Sequence, residues 1–187
     1  MKTEGSTFPT LETERLVLRN VTKDDAASML TYLSDEAVVK HMGLEPFQSV
    51  EDVLDEIAWY ASIVREGSGM RWGITLKGHG EVIGSCGFLN AVAKHHRSEV
   101  GIELSRNHWH QGIAGEALQA VIRYGFMHLD IQRIEALIEP ANIASQKLFE
   151  RQGFVKEGLL RSYEYTCGKY DDLSMYSLLK PDWQLDR

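Results

Sequence analysis

The stretch that most constrains this chain is a strand-like run feeding straight into a helix whose start is bare. "SEVGIELS" (residues 98–105) alternates as a strand, and "HWHQGIAGEALQAVIRYGFMHLD" (residues 108–130) follows at once. There Leu118, Val121, Ile122, Gly125, Phe126 and Leu129 recur at i, i+3, i+4, i+7, i+8 and i+11, one apolar stripe of an amphipathic helix. Its front carries Gly112, Ala114 and Gly115, where a Ser, Thr or Asp cap would ordinarily sit. Unpaired N–H groups at a helix start, with the positive end of the dipole behind them, make an anion site when small residues admit the ligand. The purely structural alternative is a tight strand-to-helix turn. Neither G-x-x-x-x-G-K-S/T nor G-x-G-x-x-G occurs, so this is no nucleoside-triphosphate loop and no dinucleotide fingerprint.

Around that unit the other elements can be read from periodicity. "RLVLRNV" (15–21) alternates as a first strand, and "TKDDAASMLTYL" begins a helix at a Thr22 cap. A second helix starts at Ser49 with Asp52 three residues on, carries the stripe Val50, Val53, Leu54, Ile57, Ala61 and Val64, and stops at Gly67. "MRWGITLK" and "EVIGSCGFLN" form a hairpin about "GHGE". Beyond the central helix, "RIEALIE" is a strand, "NIASQKLFERQ" a helix closed by Gly153, and "FVKEGLLRSYEY" a long strand turned back into "DDLSMYSLLK". The order β-α-α-β-β-β-α-β-α-β-β predicts an α+β fold of three layers. Its seven-stranded, mostly antiparallel sheet is flanked by four helices. The one parallel pair flanks the helix at Gly112 as a right-handed crossover. No repeat or linker interrupts the chain, so one domain is expected over residues 11–183 behind a tail at 1–10.

Composition excludes several classes. With 43% hydrophobic and 25% charged residues, the 187-residue chain is ordinary for a globular protein. No apolar run approaches the roughly 20 residues a membrane helix needs. The start "MKTEGSTFPTLETER" lacks the hydrophobic segment of a secretory signal. Cys86 and Cys167 stand alone, which fits a reducing cytoplasm. A net charge of −7, with "KHHR" (94–97) as the longest basic cluster, argues against nucleic acid and favours a cationic or amine partner. The pairs His95, His96 and His108, His110 lack a third ligand at matching spacing, so no metal is expected. A homodimer is compatible with such a chain.

One strand past the bare helix comes "NIASQKLFERQGF" (142–154), which fits N-x-x-S-x-x-L-F-x-x-x-G-F, just as the earlier loop fits W-x-x-G-x-A. Together they resemble the GCN5-related N-acetyltransferase (GNAT) superfamily. "ETERLVLR", "GKYDD" and "YSLLKPDW" are most similar to its RimJ/RimL branch of ribosomal-protein N-terminal acetyltransferases. The resemblance implies acetyl transfer from acetyl-CoA to a primary amine. Trp109, His110, Gln111, Gly112, Ile113, Ala114 and Gly115 then form the pyrophosphate loop, with Asn142 and Ser145 in the second cofactor-side motif. Backbone near Glu103, Leu104 and Ser105 holds the thioester carbonyl, at a bulge that splays the central parallel strands into a V.

Two positions depart from the family pattern. Trp109 replaces the usual Gln or Arg, leaving phosphate to backbone amides. Phe149 replaces the Tyr that protonates the leaving thiolate, and the acid proposed in RimL-like enzymes corresponds to Ser145 instead. Glu164 matches the proposed base of that branch, and Glu103 stands where other branches have one. Trp59 and Tyr60 are expected as acceptor-site walls. The acceptor implied is a protein N-terminus, with a small amine (polyamine, amino acid or antibiotic) as the alternative and a non-catalytic CoA-binding module as the rival class. An α-amine with pKa near 7.7–8.0 needs only a modest base, and a Lys amine near 10.4 needs more.

Overall fold

Alternating inward and outward side chains build one sheet that divides the molecule into two faces. The computed structural model describes residues 8–183. The strands are β1 (Leu11–Glu12), β2 (Leu16–Arg19), β3 (Met70–Leu76), β4 (Gly84–Val92), β5 (Arg97–Leu104), β6 (Arg133–Ile138), β7 (Val155–Thr166) and β8 (Lys169–Leu179), in the order β1-β2-β3-β4-β5-β6-β8-β7. The helices are α1 (Ala26–Leu33), α2 (Glu36–Val39), α3 (Val50–Glu66), α4 (Ile113–His128) and α5 (Ile143–Arg151). Eight strands and five helices replace the expected seven and four. The additions are too short to leave a period: β1 has two residues, and α2 is a single turn capped by the Asp35 side chain.

The α3 boundaries follow the sequence signals. Ser49 and Asp52 form a reciprocal capping box, and Gly67 ends the helix in the left-handed region at φ 70°. The α1 start differs. A 3-10 turn over Lys23–Asp25 precedes it, and Asp25 is a buried carboxylate held by Arg19 at 2.6 Å.

α4 and α5 cover one face, burying Trp72, Phe88, Leu118, Val121, Phe126 and Phe149. Each large apolar side chain fully buried there contributes about 1.5–3 kcal/mol. α4 approaches closely at Gly125, where an added Cβ would lie 2.5 Å from Phe88 Cζ. α1, α2 and α3 cover the other face with a second cluster containing Met29, Tyr32, Leu33, Val53, Ile57 and Tyr60. Phe8, assigned to the tail by sequence, packs against the first cluster, and Pro9, also assigned to the tail, is tied to it by a hydrogen bond. The Trp72 indole donates to Pro9 O at 2.8 Å, and Phe8 packs edge-on to Trp72 at 5.5 Å. The remainder of that tail, residues 1–7, lies outside the described residues.

The parallel ladder between β5 and β6 is only three pairs long: Arg97↔Arg133, Ser98↔Ile134 and Glu99↔Glu135. Past Glu99 the two strands separate, leaving a V-shaped opening between residues 100–104 and 136–138. The expected bulge at Glu103–Ser105 is not its cause. Pairing of β5 with β4 runs unbroken from Leu89↔Glu99 to Gly84↔Leu104, and the irregularity lies at the far end, between Leu89 and Val92. Each strand instead stays with its antiparallel partner, β5 with β4 and β6 with β8, and sheet twist carries the two pairs apart.

The long hairpin holds a second surprise. Its register jumps from Leu160↔Leu173 to Glu164↔Asp171, so residues 161–163 oppose Asp172 alone. Ser162 sits there at φ 48°, its N–H donating to Asp172 Oδ1 at 2.7 Å. Simple alternation through Ser162 therefore fails. Glu164 shares a sheet face with Leu160 because their partners Asp171 and Leu173 are two residues apart.

Candidate active site

Gly112 adopts φ 77° and no side chain caps α4. The first helical bond runs from Glu116 N–H to Gly112 O at 3.1 Å, so the N–H groups of Ile113, Ala114 and Gly115 have no intrahelical acceptor. The loop is braced from behind. Trp109 donates its indole N–H to Leu104 O at 2.7 Å, and the Gln111 side chain donates to Asn107 O at 2.9 Å. Trp109 thus ties the loop to the end of β5, and His110, at φ 60°, carries the turn.

Arg15 is a residue the sequence did not reveal. Its guanidinium donates to Gln111 O at 2.8 Å and to Glu116 Oε2 at 2.7 Å, and Nη2 lies 3.4 Å from where a Gly112 Cβ would be. No local pattern connects Arg15 to a loop almost a hundred residues away. Thr13 also donates to Glu116 Oε1 at 2.6 Å, so the one carboxylate in the first turn is already engaged.

On the same face, Asn142 caps α5 by accepting the Ser145 N–H at 3.0 Å. Ser145 is half-buried, and its hydroxyl makes none of the described hydrogen bonds. α5 is joined to α4 by the Gln152 amide, which donates to Gly115 O at 3.3 Å. Phe149 is a core residue, edge-on to Phe154 at 5.0 Å.

The carboxylates lie on the opposite face. Glu103 is buried among Arg71, Ser85 and Tyr60: Arg71 Nη2 and the Ser85 hydroxyl both donate to it at short range, and Tyr60 reaches it at 3.4 Å. Arg71 Nε also donates to Ser85 Oγ at 2.9 Å, and the Tyr60 hydroxyl lies 2.9 Å from the same atom. Tyr60 therefore belongs to a buried network, and Trp59 beside it is 40% exposed. Burial holds the Tyr60 phenol far above its usual range, so it stays a donor.

Glu99 lies on this face too, and no sequence signal singled it out. It is the last β5 residue paired to β6, accepts from the Asn90 amide at 3.1 Å, and has a raised pKa. Burial is the main cause. The Asn90 bond opposes it, while the neighbouring charges of Glu135 and Glu164 add to it. Glu164 itself is exposed on β7, on the same face. The turn beyond it seats against the segment after α2, where a Cβ on Gly43 would lie 2.9 Å from Thr166 Cγ2. His41, from that segment, pairs with Glu139 just past the end of β6. The sheet thus separates an amide-rich loop with Ser145 from Glu99, Glu103 and Glu164, and the β5–β6 pairing ends at Glu99 between them.

Residues 15–155 match the family model described as an acetyltransferase (GNAT) domain. The chain belongs to the GNAT acetyltransferase family. The N-acetyltransferase p20 of Bacillus licheniformis is 44% identical over 174 residues, covering 93% of this chain and 98% of p20. The ribosomal protein uS5-alanine N-acetyltransferase of Escherichia coli (strain K12) is 31% identical over 182 residues, 92% of each chain. Among solved structures, RimL, a ribosomal L7/L12 alpha-N-protein acetyltransferase in complex with coenzyme A, superimposes with TM-score 0.81 at 22% identity, covering 91% of this chain and 98% of that one.

As a GNAT N-acetyltransferase the chain requires an acetyl-CoA site, and its residues fit one. Three amides without intrahelical acceptors and the Arg15 guanidinium lie at the α4 start, where Thr13 and Arg15 take up the Glu116 carboxylate, leaving donors for a diphosphate.

Proposed function

We propose that this enzyme acetylates the α-amine at a polypeptide N-terminus. The observation that carries the reading is the opening past Glu99↔Glu135, with the α4 loop on one face of the sheet and Glu99 and Glu164 on the other. Acetyl-CoA, when bound, supplies an activated thioester. Ile113, Ala114, Gly115 and Arg15 bind its diphosphate. Ser105 N–H is turned to Ile83 O at 2.7 Å, so by alternation the N–H groups of Leu104 and Ile102 point into the opening. They are the donors for the thioester carbonyl, where one such donor is worth roughly 2.7–4 kcal/mol.

The incoming ammonium gives its proton to the Glu164–Glu99 pair, in which Glu99, its pKa raised mainly by burial, is the better base near neutrality. As the amine nitrogen bonds to the thioester carbon and the C–S bond breaks, Ser145 gives a proton to the departing sulfur and regains one from the second proton that the nitrogen releases. Glu103 is excluded from proton transfer in this reading, because Arg71, Ser85 and Tyr60 already occupy its oxygens.

Similarity to the uS5-alanine enzyme supports an α-amine acceptor. So does the modest basicity such an amine asks of its base, with its own pKa near 7.7–8.0. The test is thiol release from acetyl-CoA with peptides beginning Ala, Ser or Met, beside a polyamine, free amino acids and an aminoglycoside. Peptides are expected to turn over fastest. Preference for the polyamine or aminoglycoside contradicts the α-amine reading, and no release with any amine contradicts catalysis.

A further inference from the structure

Arg71, Gly87 and Gly101 are direct cross-strand neighbours on β3, β4 and β5. The Arg71 side chain lies across both glycines toward the opening in the sheet. A Cβ on Gly87 would stand 2.3 Å from Met70 O and 2.8 Å from Arg71 Cγ, meeting both the β3 backbone and the side chain, and one on Gly101 would stand 3.1 Å from Arg71 Nη1. The glycines thus form a trough that only their lack of a side chain permits. The guanidinium is used unevenly. Nε binds Ser85, Nη2 binds Glu103, and Tyr60 adds both its ring, 5.4 Å from Cζ, and a hydroxyl hydrogen bond to the guanidinium, while neither Ser85 nor Glu103 is held through Nη1. Gly101 is two residues past Glu99, where β5 has already parted from β6. The Nη1 end of the fork, which holds neither Ser85 nor Glu103, therefore lies toward the base of the opening, on the face of Glu99 and Glu164.

A buried ion pair with Glu103 alone would not require this arrangement. A lysine could neutralise the carboxylate, whereas a guanidinium adds donors that are costly to leave unbonded. Building on the amine-acetylating reading above, we infer that Arg71 is a specificity-determining residue of the acceptor site. Its Nη1 donates to an oxygen held close to the acceptor nitrogen. The preferred substrates are then α-amino carbonyl compounds, in which a peptide carbonyl or a free carboxylate supplies that oxygen, and simple alkylamines and polyamines are disfavoured.

The test compares alaninamide, alanine and isopropylamine as acceptors for wild type and Arg71→Lys. Alaninamide and isopropylamine differ only in the carboxamide, and comparing their ratio between the two proteins cancels the amines' own basicities. The ratio of kcat/KM for alaninamide over isopropylamine is expected to fall ten- to a hundredfold in Arg71→Lys, mainly through the alaninamide KM, as for one lost charge-assisted hydrogen bond. The KM for acetyl-CoA is expected to stay constant. Alanine distinguishes the oxygen source, because a larger loss for alanine than for alaninamide assigns Nη1 to a carboxylate and the reverse assigns it to a peptide carbonyl. Should Arg71→Lys not fold, Arg71→Met combined with Glu103→Leu removes both charges and gives the same readout. Equal losses for alaninamide and isopropylamine would make Arg71 a structural strut and overturn the inference alone. Absence of transfer to all three amines would overturn this inference alone if an alanyl peptide still turns over, and would overturn the acetyltransferase reading with it if the peptide does not.

Discussion

Trp109 and Leu104 are joined by one hydrogen bond, indole N–H to carbonyl at 2.7 Å, that fastens the cofactor loop to the last residue of β5. The same peptide unit borders the opening in the sheet, so loop position and carbonyl-binding geometry are set together. Trp109→Phe keeps the ring and removes the donor. Its affinity for acetyl-CoA is expected to fall up to about tenfold, the range of one neutral hydrogen bond of about 0.5–1.5 kcal/mol. Calorimetric titration with unchanged affinity would mean the loop holds its shape without this bond.

Ser145 has a satisfied backbone and a hydroxyl without a described partner. A group needed only as the thiolate leaves should affect turnover and spare ground-state binding. Ser145→Ala is therefore expected to lower kcat by about tenfold or more with acetyl-CoA affinity nearly constant. A variant that loses affinity at unchanged kcat would reassign Ser145 to cofactor binding.

The Arg71–Glu103 pair makes a stability prediction of its own. Removing one partner strands a buried charge, at a cost of about 3–5 kcal/mol, while replacing both with apolar groups is often close to neutral. Arg71→Met is expected to lower Tm by roughly 6–20 °C. Adding Glu103→Leu should recover most of that loss. A double variant no more stable than the single one would contradict a dominant electrostatic role.

Stability toward acid should depend on Glu157. Bidentate bonds from Arg133 at 2.6 and 2.8 Å, and one from Ser177, hold its carboxyl down to about 2 from a usual 4.5. Because the folded state lowers this pKa, the stabilisation is complete above the unfolded value and is lost as pH falls from about 4.5 toward 2. Glu157 is partly exposed, so the effect is modest and screened by salt. Glu157→Gln should flatten the acid limb of a Tm-against-pH curve at low ionic strength. An unchanged slope below pH 4.5 would rule the pair out as a contributor.

Much of the fold was legible because it is periodic and locally punctuated. The α4 stripe, the Ser49–Asp52 box, the Gly67 stop and the Asn142 cap are each contained within a few residues. What stayed hidden depends on distant pairing. Gly87 and Gly101 read as ordinary strand glycines until Arg71 is laid across them, and Arg15 meets the α4 loop only through the fold. The network around Glu103 stayed hidden because its partners come from α3, β3 and β4. Glu99 drew no notice because its importance comes from where the parallel ladder ends, which no single strand encodes. The three-against-one bulge before Glu164 was equally invisible, since its reason is the Asp172 side chain on the partner strand.

The most direct test of proton removal on the carboxylate face is the pH–rate profile for an alanyl peptide with wild type, Glu164→Gln, Glu99→Gln and the double variant. A general base contributes about 10²–10⁴-fold. Each single variant is expected to lose part of that at neutral pH and the double variant most of it, with the loss shrinking above about pH 8, where the α-amine arrives already neutral. A double variant within about twofold of wild type from about pH 6 to 9 would contradict a carboxylate base on this face.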